Sequence, residues 1–110
     1  MNYQEINKNN LPRWTNTLKY LTSTFVQNDI KYYLSASGLE YILGSNTYPY
    51  DIDIFMSKED VQKVYELLKD CSVSHLHKWE DRLLEFQGEY NGTPFEICEW
   101  EEEPNKIMQK

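Results

Sequence analysis

Apolar residues recur at helical spacing along Trp14, Leu18, Leu21, Phe25 and Val26, with Asn10 placed as a cap and Pro12 in the first turn. This spacing predicts a helix over about residues 11–27. Asn28 and Asp29 interrupt it, and the Tyr-rich run 31–36 reads as a buried strand. Leu39, Tyr41, Ile42 and Leu43 suggest a short helix, followed by a turn-rich loop containing Gly44, Ser45, Asn46, Thr47 and Pro49. Residues 51–56 then alternate carboxylate and aliphatic positions with period two, the mark of a strand.

Ser57 followed by Asp60 resembles the start of a capping box, and Val61, Val64, Leu67 and Leu68 supply the stripe of a second long helix ending near Asp70. Three strand-like runs follow: 72–79, 82–90 and 93–100. Asn91-Gly92 between the last two is a strong hairpin signal. The order of elements predicts an α/β or α+β domain over residues 1–100, with a mixed sheet covered by helices mainly on one face. Residues 101–110 lack an apolar period and read as an acidic, flexible tail.

Composition narrows the range of functions. A chain of 110 residues that is 40% hydrophobic and 15% aromatic has material for one packed core and is too short for two. Its net charge of −7 disfavours sequence-independent nucleic-acid binding, although a bound divalent cation reverses such a field locally. Two cysteines, Cys71 and Cys98, do not make a disulfide framework. The start of the chain is polar, and no stretch approaches the roughly 18 apolar residues of a spanning helix, so a cytoplasmic protein without a membrane association is expected.

Candidate chemistry lies in the alternating strand. Residues two apart on a strand share a face, so Asp51 and Asp53 project together while Ile52 and Ile54 face the core. Paired carboxylates repel unless a cation, a donor or water compensates, and a hard divalent ion such as Mg²⁺ prefers oxygen ligands. An ordinary half-exposed strand with an acidic face gives the same pattern. Glu96, flanked by Phe95 and Ile97 on another expected strand, is the independent signal. Glu99 competes with it, but an odd separation puts the two on opposite faces. Upstream, Ser37 and Gly38 lie between a strand and a helix, where small residues and exposed N–H groups suit a phosphate, or simply form a turn.

Together, residues 34–55 resemble the signature of the nucleotidyltransferase fold superfamily, and are similar to the minimal and lincosamide nucleotidyltransferase-like proteins. Those carry an apolar residue, Gly, then Gly or Ser, a spacer and D-x-D. Here Ser37 matches the second small residue, Gly44 the glycine closing the short helix, Asp51 and Asp53 the metal carboxylates, and Glu96 the third carboxylate. The resemblance implies a nucleotidyltransferase-like mixed sheet and two Mg²⁺ ions held by Asp51, Asp53 and Glu96. It further implies an NTP with its phosphates against Ser37 and Gly38, and transfer of a nucleoside monophosphate to an acceptor hydroxyl. The sequence departs from the pattern at Ala36, in place of the first glycine, and at Tyr48 and Tyr50, where a basic loop is expected. Lys31, Lys78 and Arg82 are then the basic candidates for the triphosphate, and Tyr48 and Tyr50 for stacking on its base. A binding or regulatory module with the same fold, acting through a protein partner or a homodimer, is the alternative. His75 and His77 read as a polar strand face, and the two cysteines as structural thiols.

Overall fold

The computed structural model describes residues 8–34 and 52–103, the Trp79 side chain excepted. The expected strand beyond Leu34, the short helix at 39–43, the loop after it, and Ser37, Gly38 and Asp51 lie outside the described residues. The described part is a mixed α+β structure with two helices and a six-stranded sheet.

Helix α1 (Leu11–Gln27) carries Pro12 in its first turn. The Asn10 carbonyl accepts from Trp14 N at 3.1 Å, but its side chain does not make the cap bond expected of it. The helix ends where Asp29 turns left-handed at φ 56° and Ile30 N donates back to Phe25 O. Helix α2 (Lys58–Leu67) starts as its sequence dictates, with Ser57 Oγ accepting from Asp60 N at 3.2 Å and with Glu59 and Asp60 beside the positive end of the dipole.

Strands β1 (Tyr33–Leu34), β2 (Ile52–Met56), β3 (Ser72–Val73), β4 (His77–Trp79), β5 (Leu83–Tyr90) and β6 (Thr93–Glu99) are ordered β1-β2-β6-β5-β3, with β4 also on β5. Among the described residues only β2 and β6 run parallel. The hairpin expected at Asn91-Gly92 is present. Tyr90 pairs with Thr93, and the turn residues take φ of 52° and 81°, which asparagine and glycine tolerate.

The run 72–79 is not one strand. Ser74 leaves the ladder and binds β5 through both its backbone N and its side chain, so pairing stops after Val73 and resumes at His77. His75 falls in this break and does not share a strand face with His77.

Both helices cover one face of the sheet. Trp14, Leu18, Leu21 and Phe25 of α1 and Val61, Val64 and Leu68 of and just beyond α2 form one cluster with Ile52, Ile54, Met56, Phe86, Phe95 and Ile97. Two stripe residues do not join the core: Val26 is 67% exposed and Leu67 40%. Each is adjacent in sequence to a fully buried residue, about 100° around the helix from it, and so falls at the margin of the apolar stripe.

Gly88 is the one residue of β5 on this face without a side chain, and the Phe95 ring uses that space. A Cβ built on Gly88 would meet Phe95 Cε1 at 2.8 Å and Cζ closer still. Gly88→Ala is therefore expected to lower unfolding free energy by about 1–3 kcal/mol, as overpacking of a rigid contact does. Urea denaturation with an unchanged slope would measure this; wild-type stability would show that the ring yields freely.

Candidate functional site

The register of β2 on β6 decides which acids meet. Asp53 is the Cα partner of Glu96, which places the two about 5 Å apart on one face of the sheet. Ile52 and Ile54, on alternate positions, point to the helices. The carboxylate row thus lies on the face away from α1 and α2. Glu99 pairs with Met56 instead, on the helix side, and its Oε1 accepts from Leu84 N at 3.0 Å. Of the two competing glutamates, Glu96 shares a face with Asp53.

Gln87 pairs with Glu96 from the other side, and its Nε2 donates to Glu96 Oε2 at 3.0 Å. The next row on the same face runs Tyr33, Phe55, Cys98, Glu85, His77 across β1, β2, β6, β5 and β4. Here Glu85, only 7% exposed, lies 2.7 Å from His77 Nε2, and His77 Nδ1 lies 3.0 Å from the His75 carbonyl. Neither Gln87 nor the Glu85–His77 pair stood out in the sequence. The signal was there: Glu85 and Gln87 sit two apart on β5, alternating with Leu84, Phe86 and Gly88.

Among the described residues no three His, Cys, Asp or Glu side chains gather as a metal site would need. Asp53 and Glu96 supply two of the three expected carboxylates, and Asp51 lies outside the described residues. The pair is an all-oxygen donor set, which fits a hard divalent cation better than a soft one.

The basic candidates stand elsewhere. Lys31 is paired with Glu103, and Arg82 with Glu101 at 2.6 Å. Both lie at the end of the sheet where β2 and β6 finish. Lys78 is in register with Leu84, on the opposite face from Glu96. Burial, with Glu85, Glu96, Glu99 and Asp53 nearby, pushes the Cys98 thiol up to about 12, which disfavours the reactive thiolate.

No described helix is long and apolar enough to cross a membrane. The chain matches no protein-family model, no curated protein and no solved structure.

His77 titrates above its ordinary value, first because the His75 carbonyl and then because Glu85 accept hydrogen bonds. Only the imidazolium has an N–H for both. Burial holds Glu85 above the usual carboxylate range, with His77 opposing and Glu96 reinforcing the shift. Both groups bind protons more tightly when folded. The His77 contribution to stability is therefore fully present below about pH 6.5 and is lost as pH rises through the higher folded-state value. Glu85 acts in the same sense at lower pH. From about pH 6 to about pH 8 the melting temperature of the wild type should fall more than that of His77→Gln. Parallel profiles in thermal melts would mean the pair contributes nothing.

Proposed function

We propose that the chain is a divalent-metal-dependent nucleotidyltransferase that moves a nucleoside monophosphate from an NTP to an acceptor hydroxyl. The observation that carries this reading is the pairing of Asp53 with Glu96 across the parallel strands β2 and β6, on the sheet face away from α1 and α2. The antiparallel pairing of β1 with β2 adds support. Leu34 pairs with Ile54, so β1 ends one position from Asp53, and Ser37 and Gly38 follow within four residues of the sequence.

On this reading Asp53 and Glu96, with Asp51, hold Mg²⁺, and Ser37 and Gly38 face the outer phosphates. The ion, when bound, supplies charge neutralisation at the phosphates and at departing pyrophosphate. The acceptor oxygen bonds to the α-phosphorus, the bond from that phosphorus to the bridging oxygen breaks, and pyrophosphate leaves with the electron pair. Glu96 takes up the hydroxyl proton. The remaining work of the chain is positioning, which is why few other reactive side chains are required.

The engagement of Lys31 and Arg82 by Glu103 and Glu101 favours a second reading, a module of this fold that binds metal or nucleotide without turnover. Pyrophosphate release separates the two, since only the enzyme produces it.

Calorimetry with Mg²⁺ and each NTP should give binding that Asp53→Ala and Glu96→Gln each weaken by tenfold or more, on the order of 1.4 kcal/mol. Absence of binding, or an Asp53→Ala variant that binds as the wild type does, would overturn the proposal.

A further inference from the structure

We propose that Lys31, Tyr33 and Arg82 form a seat for a small polyvalent anion such as a polyphosphate, and that the chain's own Glu101 and Glu103 occupy it as an autoinhibitory strap. Neither Asp53 nor Glu96 takes part in this seat.

The strap begins where β6 ends. Trp100 N donates to Met56 O at 2.9 Å, and the Trp100 ring meets Tyr33 edge-on at 5.4 Å, which fixes the direction in which the chain leaves the sheet. Glu101 and Glu103 follow, their backbones at most about 7 Å apart. Each takes a different cation. Glu103 Oε2 lies 2.5 Å from Lys31 Nζ and accepts from the Tyr33 hydroxyl at 2.9 Å, so an ammonium and a phenol converge on one oxygen. Glu101 Oε1 lies 2.6 Å from Arg82 Nη2, whose other acid, Glu80, stands farther off at 3.5 Å. Glu102, exposed between them, pairs with neither cation.

Two properties make this more than a fastening for the tail. The first is that the hydroxyl requires an occupant, because Tyr33 is 1% exposed and a buried O–H left without an acceptor is costly. Phosphate oxygens accept as carboxylate oxygens do, so what the seat demands is an anionic oxygen, from glutamate or from elsewhere. The second is that both cations stay within reach of solvent. The side chains of Lys31 and Arg82 are 48% and 51% exposed, and ion pairs so exposed hold weakly. An external anion can therefore displace the strap without unfolding the sheet beneath it. A strap closed about ten times as often as open lowers the apparent affinity for that anion about tenfold.

Calorimetric titration of the full chain with inorganic tripolyphosphate, in the absence of divalent metal, tests this. Glu103→Gln removes the charge but keeps an acceptor for Tyr33, and should tighten tripolyphosphate binding about tenfold. Glu102→Gln removes the same charge from the same segment and should bind as the wild type does. Adding Lys31→Met to Glu103→Gln should abolish the gain. Should Glu103→Gln fail to fold, Glu101→Gln, which frees Arg82, is expected to tighten binding in the same sense. Wild-type affinity in these variants, an equal gain in Glu102→Gln, a gain that survives Lys31→Met, or no binding by any variant would overturn the proposal. None of these outcomes bears on the titration with Mg²⁺ and NTP, which Asp53→Ala decides.

Discussion

The parallel pairing of β2 with β6 is the constraint on which the rest depends. It joins two strands distant in sequence, and its register is set by burial. Ile52 and Ile54 of β2 and Phe95 and Ile97 of β6 all enter the core under the two helices. A slip of one residue would turn one strand over, sending its aliphatic side chains to the opposite face and its acid into the core. Fully burying one such side chain is worth about 1.5–3 kcal/mol, so the slip would forfeit several times that. The core therefore fixes the meeting of Asp53 and Glu96, although neither residue belongs to it.

The far end of the sheet is held by different means. Trp100 N bonds to Met56 O, the Trp100 ring meets Tyr33 edge-on at 5.4 Å, and Tyr33 donates its hydroxyl to Glu103. Exposed ion pairs such as Lys31–Glu103 and Arg82–Glu101 each contribute only about 0–1 kcal/mol. The buried Tyr33 ring is the stronger anchor, and its hydroxyl needs an acceptor there. Part of the acidic excess that composition reveals is thus spent on neutralising cations locally, well away from the Asp53–Glu96 row.

Much of the fold was legible because local and tertiary signals agree. The stripes of α1 and α2, the Ser57 cap, the period-two β2 and the Asn91-Gly92 turn each have a local cause that the structure keeps. The site was legible at one level less. Period two told that Asp53 faces away from the core and that Glu96 and Glu99 part company. That β2 would lie beside β6 in this register is a tertiary fact without a local signal. The break at Ser74 was hidden for the same reason, since the serine departs from regular pairing to bond the backbone of residue 87 on β5. Val26 and Leu67 misled because the stripe's edge depends on how far the sheet extends beneath the helix, which periodicity does not encode.

The sheet face away from α1 and α2 is also informative in what it avoids. On β5 and β6 the helix side carries Leu84, Phe86, Phe95 and Ile97, while the other side carries Glu85, Gln87 and Glu96. On this face Glu85 lies against His77, and Glu96 accepts from Gln87. A face that needed only to be covered would be more stable with apolar residues at these positions, because burying a charge costs several kcal/mol that one donor offsets only in part. Glu85 is almost wholly buried and still titrates above the usual carboxylate range, so that offset is incomplete here. Sheet stability alone therefore does not account for the placing of Glu85 and Glu96 on that face.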